Sequence, residues 1–323
     1  MDCDPELYIY PAIQQSPACL SFADQYAFRP IGSTTAAIIT ILHKVTHLLV
    51  NNLYVIVVAI DYCKAFDTVR HSTLLAKMTQ LDTPDGTYNW LVDFFSRHLH
   101  HAKYGEQTSM SKSISCSIIQ GSAVGPASYV MDASDLHAVT DGSVLCKYAD
   151  YTYLVIPAVN VDSCTAALHN VNERALANNL QLNLAKSPEI IFTERDKKTK
   201  YSMPNEIPLL QCVQTIKILG VTFASSLSVT LHVQNVIASC AQTHCASCTM
   251  GCATDHCTIF SVHLLLQNLR MCQVCGGLFA NANDRQDSSF HHGLCGGAST
   301  VLMATDLVSW RWQFSTSHRI HTP

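Results

Sequence analysis

The chain has 323 residues, of which 48% are hydrophobic and only 14% charged, and its formal net charge is −4. That length can bury one large core or two smaller ones, and the composition excludes an intrinsically disordered chain. The negative total counts against a strong nucleic-acid binder, which ordinarily presents a basic face.

Residues 1–32 read as irregular, with prolines at Pro5, Pro11, Pro17 and Pro30. The start, Met1-Asp2-Cys3-Asp4-Pro5, has neither the basic opening nor the apolar stretch of a signal peptide, so an intracellular protein is expected. Ser33-Thr34 are good N-cap types, and Ile38, Ile41, Leu42, Val45 and Leu49 recur at helical spacing behind them. Leu53–Ile60, rich in Val and Ile and preceded by Asn51-Asn52, reads as a strand buried on both sides; it is too short to span a bilayer, and no membrane partner is expected.

A short helix is expected over Ser72–Gln80, ended by a turn at Thr83-Pro84-Asp85-Gly86, with a further amphipathic helix marked by Trp90, Leu91, Phe94 and Phe95. Ser113–Ile119 alternates weakly as a strand, Gln120-Gly121-Ser122 is a turn, and Pro126 suits the first turn of a helix reaching about His137. Val144–Ile156 reads as a hairpin turning at Ala149-Asp150. Ser163–Asn179 reads as a helix burying Leu168, Val171, Ala175 and Leu176, and Ile190–Phe192 and Ile216–Phe223 read as strands. From Ser228 the pattern is helical, and after Gly293 it is weak. This order points to an α+β fold, an antiparallel sheet with helices on one face.

Three segments carry the chemistry. Asp61-Tyr62-Cys63-Lys64-Ala65-Phe66-Asp67 follows the buried strand, Gln120 to Pro126 is a turn before a helix, and Tyr148-Ala149-Asp150-Tyr151 is a hairpin tip. A carboxylate at a strand end and another at a neighbouring hairpin can converge at one sheet edge. Mg²⁺ is typically held by one or two carboxylates plus substrate phosphates. Two such ions, roughly 3.5–4 Å apart, can clamp the attacking and leaving oxygens of phosphoryl transfer. Singly, each segment is an ordinary cap or turn; the three in this order are specific.

Together they resemble the reverse transcriptase domain of LINE-type, non-LTR, jockey-like retrotransposons, over roughly residues 20–290. Phe28-Arg29-Pro30-Ile31-Gly32-Ser33-Thr34-Thr35 resembles the entry to that family's first fingers–palm helix. Asp61 to Asp67 resembles motif A, Gln120 to Pro126 motif B, Tyr148 to Tyr151 motif C, Asn179 to Ser187 motif D, and Ile218-Leu219-Gly220-Val221 motif E, the primer grip.

The resemblance implies a right-hand polymerase: truncated fingers and the first helix over 1–52, a palm over 53–223, a helical thumb over 224–292, and a poorly structured tail over 293–323. It implies RNA template, DNA primer and dNTPs as partners, and two Mg²⁺ ions, replaceable by Mn²⁺, held by Asp61, Asp150 and the Tyr62 carbonyl. Phe66 is implied as the steric gate against a ribose 2′-hydroxyl, Gln120 and Gly121 as the lining of nucleotide and template base, and Lys186 as a general acid near the triphosphate. Leu219 and Gly220 are implied to shape the turn that seats the primer.

The chain departs from the pattern in three places. Motif C ends in Tyr151 where the family has a second Asp; residues 1–27 contain no Lys or Arg; and beyond Lys217 the only cations are Arg270, Arg285, Arg311 and Arg319. Triphosphate and duplex binding need cations at those places, so impaired catalysis and weak primer–template binding are expected. Two alternative readings stand beside this one: a catalytically inactive relic of a retroelement, or a nucleic-acid- or zinc-binding module without enzymatic activity. The last rests on Cys245-Ala246-Ser247-Cys248 and Cys272-Gln273-Val274-Cys275, although the gap between these pairs is longer than a zinc site ordinarily has. With no signal peptide, the 15 cysteines are expected to be free thiols.

Overall fold

The structure is a computed structural model that describes residues 5–15, 20, 22–29, 32–96, 99–119, 121–193, 204, 207 and 210–249. In chain order the elements are α1 (Pro5–Gln14), α2 (Thr34–Asn51), β1 (Val55–Ile60), α3 (Ala65–Thr68), α4 (His71–Met78) and α5 (Asp85–Ser96). Four two-residue strands follow: β2 (Leu99–His100), β3 (Lys103–Tyr104), β4 (Gln107–Thr108) and β5 (Lys112–Ser113). Then come α6 (Gly125–Asp132), β6 (Val144–Tyr148), β7 (Tyr151–Pro157), α7 (Cys164–Ala177), β8 (Pro188–Phe192), β9 (Gln211–Val213), β10 (Thr215–Ile218), β11 (Val221–Ala224) and α8 (Thr230–Thr249).

The central sheet has the order β6-β7-β1-β8-β9 and is antiparallel except for the β8–β9 pair. β1 lies in its middle, with Val58 opposite Leu154 on one side and Glu189 on the other. A central strand needs apolar side chains on both faces, which is why Val55–Ile60 is a nearly unbroken Val/Ile run. Ile56, Val58 and Ile60 enter one core layer with α1, α4, α5, α6 and α7, while Val55 and Val57 enter a second with α2 and the β10–β11 hairpin.

α2 begins where the sequence predicts. The Ser33 hydroxyl accepts a hydrogen bond from the Ala36 N–H at 3.0 Å, satisfying one of the orphan donors of the first turn. Its buried stripe, Ala37, Ile38, Ile41, Leu42, Val45 and Leu49, lies on the sheet. Each large side chain there contributes about 1.5–3 kcal/mol of gross burial energy. Gly32 has a separate reason to be glycine: a Cβ on it would lie 2.1 Å from the Tyr26 carbonyl oxygen.

Several elements differ from the sequence reading. The α+β palm architecture stands, with most helices on one face, but α2 also covers the opposite face. Residues 5–14 form a helix in spite of Pro5 and Pro11, because Pro5 falls at the first position, where no N–H is needed, and Ile9, Ala12 and Ile13 bury one face. Asp85 and Gly86 open α5, with the Thr87 and Tyr88 N–H groups donating to the Pro84 carbonyl. Of Ser113–Ile119 only short pairings form, at Lys112–Ser113 and at Cys116 opposite Arg70. The Ile216–Phe223 strand is two strands folded about Leu219-Gly220. On α7 the buried face is Cys164, Ala167, Val171 and Ala175, and Leu176 is exposed.

Cys63, Cys116, Cys146 and Cys164 are free thiols. Among the described residues no helix is long and apolar enough to cross a membrane. Of the span expected as a thumb the described residues reach only Thr249 and include α8; Cys272, Cys275 and the tail lie outside the described residues, as do the side chains of Cys245 and Cys248.

Candidate active site

Asp61 is the first residue beyond β1, and its surroundings come from the loop before β8. The Asp61 N–H donates to the Ser187 Oγ at 3.0 Å, the Asn183 N–H donates to the Asp61 carbonyl at 2.9 Å, and the Asn183 side-chain amide donates to Asp61 Oδ2 at 3.0 Å. Tyr62 then bridges Leu182, and the Cys63 N–H donates to the Gln181 carbonyl. In an antiparallel pair of this kind the bridging residue's own N–H and C=O turn away from its partner. The Tyr62 main chain therefore faces the β7 side of the sheet. Its side chain is buried, which pushes the phenol up to about 12.

Asp150 sits in the two-residue turn between β6 and β7, closed by Tyr148 opposite Tyr151, with Ala149 at φ 52°. The β1–β7 register pairs Ile60 with Thr152, so the β1 end and this turn meet at one edge of the sheet. Burial raises the Asp150 pKa, and the charge of Asp61 raises it further. Strand alternation carried one residue past Ile60 sets Asp61 on the face of Val55 and Val57, the same face as Tyr153 two residues from Tyr151. The register thus brings Asp61, at the end of β1, and Asp150, in the β6–β7 turn, to one edge of the sheet. Tyr151 stands beside them, half exposed.

The turn is braced from behind by the chain before α2. Gln25 bridges Lys147 in parallel, Asp24 O accepts from Lys147 N–H at 2.7 Å, and Tyr26 N–H donates to Lys147 O at 2.8 Å. The Gln25 Oε1 accepts from the Ala149 N–H at 3.3 Å, directly at the turn. The Lys147 side chain is buried; its Nζ donates to the Ala133 and Leu136 carbonyls at 2.8 and 2.9 Å and lies 3.0 Å from Asp24 Oδ1.

The other predicted residues lie around this edge. Phe66 on α3 stacks on Tyr129 of α6 with ring centroids 4.4 Å apart, and its carbonyl accepts from the Ile118 N–H at 2.7 Å. Tyr129 is buried, and Tyr62 and Asp150 both raise its phenol pKa beyond what burial does, which ties the Phe66 stack to the carboxylate edge. Gly121 is exposed with φ 87°, a conformation that favours glycine, and the Ser122 hydroxyl closes the turn into α6 by accepting from the Gly125 N–H. Gln120 lies outside the described residues. Lys186 ends an exposed single helical turn, Leu184–Lys186, beside buried Ser187. Leu219 and Gly220, at φ 45° and 95°, form the β10–β11 turn, and the Leu219 N–H donates to the Tyr153 hydroxyl at 3.2 Å. This places the motif E turn against β7.

Below the first core layer, Asp132 and Asp135 meet Lys77 of α4 and Arg174 of α7. The buried Asp132 carboxylate thus has two cations beside it, as a buried charge needs. Burial pushes the Asp132 carboxyl up, against the pull of Arg174 and Lys77. At Asp135 burial also pushes up, but Arg174 and Lys77 outweigh it and hold the carboxyl below its ordinary range.

Among the described residues no three His, Cys, Asp or Glu side chains cluster as a metal cage. Two hard carboxylates at one edge of the sheet, that of Asp150 partly desolvated, are nonetheless a donor set that fits Mg²⁺ or Mn²⁺ completed by substrate oxygens.

An antiparallel palm sheet with a carboxylate at the end of its central strand and another at the adjoining hairpin defines a right-hand nucleic-acid polymerase. Within that class, the profile of the reverse transcriptase (RNA-dependent DNA polymerase) family matches residues 8–223, and the chain belongs to this family. Reverse transcriptases use divalent metal ions. The chain is 25% identical over 223 residues to the RNA-directed DNA polymerase from mobile element jockey of Drosophila melanogaster. That alignment covers 66% of this chain and 24% of the relative, so the chain spans about a quarter of its length. The resemblance to LINE-type retrotransposon enzymes stands. In fold it is similar to a telomerase from Candida tropicalis, solved in complex with a fragment of telomeric RNA. The TM-score is 0.53 at 11% identity, over 88% of this chain and 47% of that one.

Sequence reasoning assigned no role to Asn183, Ser187, Gln25 or Lys147. Asn183 and Ser187 lie inside the motif D stretch, where a polar residue at each end of a short turn was the available signal. Lys147, a cation within the apolar strand before Tyr148, was the other.

Proposed function

We propose that the chain is the nucleotidyl-transfer unit of a retrotransposon reverse transcriptase, extending a DNA primer on an RNA template inside the cell, with activity reduced by Tyr151. The palm of this reading runs over 53–223, with fingers before it and a thumb over 224–292. The observation that supports it is the strand register, which brings Asp61 at the end of β1 and Asp150 in the β6–β7 turn to one edge of the sheet.

In the reaction, the primer 3′-hydroxyl gives its proton to water as its oxygen attacks the α-phosphorus of the dNTP, a new phosphodiester bond forms, the bond from the α-phosphorus to the bridging oxygen breaks and pyrophosphate leaves. Asp61, Asp150 and the Tyr62 carbonyl would hold two Mg²⁺ ions, which would stabilise the charge that develops on the attacking and leaving oxygens. Phe66, anchored by its stack on Tyr129, sits as the steric gate beside the sugar. Gln120 and Gly121 line the base pair, Leu219-Gly220 seat the primer end, and Lys186 gives a proton to the leaving pyrophosphate. Tyr151 puts a phenol where the family has a second carboxylate, removing one negative charge beside the cations.

The test is dNTP incorporation on an RNA template with a DNA primer in Mg²⁺. Wild type is expected to be slow, Asp150→Ala inactive, and Tyr151→Asp faster than wild type. Incorporation by Asp150→Ala equal to wild type overturns the assignment. Inactivity of wild type and Tyr151→Asp alike, in folded protein, favours the inactive relic that Tyr151 itself points to.

A further inference from the structure

Asp61 is held at more points than a strand-end aspartate needs. Its N–H, its carbonyl and one carboxylate oxygen are each bonded by the loop 183–187, more than 120 residues away in sequence. The contacts form a closed circuit, because the Ser187 hydroxyl that accepts from the Asp61 N–H donates in turn to the Asn183 carbonyl at 2.8 Å. Asn183 contributes both its main-chain and its side-chain N–H to the same aspartate. Ser187 is 2% exposed, so its hydroxyl has no water to compete for it. The loop itself is a single helical turn, closed by the Lys186 and Ser187 N–H groups donating to the Asn183 and Leu184 carbonyls.

We infer that Asn183 and Ser187 are positioning residues that hold the Asp61 carboxylate in one rotamer, committing Oδ2 to the Asn183 amide and leaving Oδ1 for the cation. The inference rests on the metal-binding role proposed for Asp61. Without the clamp the Asp61 side chain is free to rotate about χ1 and χ2, and that freedom must be given up each time a cation binds. A hydrogen bond from a neutral amide fixes the carboxylate's orientation without neutralising its charge. Loss of such an outer partner ordinarily costs roughly 10–100-fold in metal affinity. The same turn carries Lys186, so one loop orients a ligand and the residue proposed to face the leaving group.

Mn²⁺ titration of the full chain, followed by loss of the free-ion paramagnetic resonance signal, reads this directly and needs no turnover. Wild type is expected to bind, and Asp61→Ala to lose that binding. Asn183→Leu, similar in size but without the donor, is expected to weaken it roughly 10–100-fold, and Ser187→Ala to weaken it several-fold. Affinities are compared per folded molecule, with the fraction folded taken from a thermal melt. A purely structural role moves the melt and leaves the affinity of the folded fraction unchanged. Asn183→Leu binding Mn²⁺ as wild type does overturns the inference while leaving the metal role of Asp61 intact. If Asn183→Leu does not fold, Asn183→Ser, too short to reach Oδ2, is judged by the same criterion. Equal binding by wild type and Asp61→Ala overturns the metal assignment and this inference with it.

Discussion

Replacing Lys147 by Met tests how the motif C hairpin is held. The ammonium is the shared donor for the Ala133 and Leu136 carbonyls and the counter-ion of Asp24, and the side chain is 1% exposed. Met fills most of the volume of the stem, so the change removes charge and hydrogen bonds more than packing. Breaking a buried ion pair by deleting one member costs about 3–5 kcal/mol, because the other charge stays behind. Each carbonyl deprived of its donor adds a cost of about 1–3 kcal/mol. These costs overlap, since one ammonium serves all three groups, and about 3–5 kcal/mol is the expected total. Against the 5–15 kcal/mol typical of a domain, that is a large share.

Urea unfolding followed by circular dichroism measures it, with unchanged steepness of the transition showing that two-state behaviour is kept. Asp24→Leu combined with Lys147→Met is expected to recover part of the loss, because no unpaired charge remains. A Lys147→Met protein within about 1 kcal/mol of wild type refutes the reasoning. So does a double variant whose loss equals the sum of the single ones.

Asp135→Asn removes the exposed carboxylate of the Asp132–Asp135–Lys77–Arg174 cluster. The folded Asp135 pKa lies below its unfolded value, so its stabilisation is complete above the unfolded carboxylate range near about 4 and is lost as pH falls through the folded value. The stability gap between wild type and Asp135→Asn is therefore expected to shrink as pH falls below about 5, in melts at each pH; a gap independent of pH contradicts the assignment. Gly32→Ala drives a Cβ to 2.1 Å from the Tyr26 carbonyl and should cost about 1–3 kcal/mol or more, read as a lowered melting temperature. Because Tyr26 pairs with Lys147, the same change is expected to slow incorporation. Phe66→Ala removes the ring stacked on Tyr129, and the ratio of ribonucleotide to deoxynucleotide incorporation should rise; an unchanged ratio argues against the steric gate.

Local chemistry alone made much of this protein legible. The Val/Ile run of β1, the Ser33 cap with its apolar stripe, and the Tyr-Ala-Asp-Tyr hairpin each express a short-range rule, so their positions follow from neighbouring residues. The same is true of the two aspartates, whose places after a strand and in a turn are properties of the segments that carry them. Tertiary structure decided what meets those segments. Helix α1 forms because Ile9, Ala12 and Ile13 find a core, which outweighs Pro11, the proline inside the helix that argues against it locally. The burial of Lys147, the brace at Gln25 and the grip of Asn183 and Ser187 on Asp61 all join residues more than ten positions apart and in most cases more than a hundred. A hydrogen bond has no periodicity for a sequence to display; its partners become known only once the sheet has brought distant ends of the chain within 3 Å of each other.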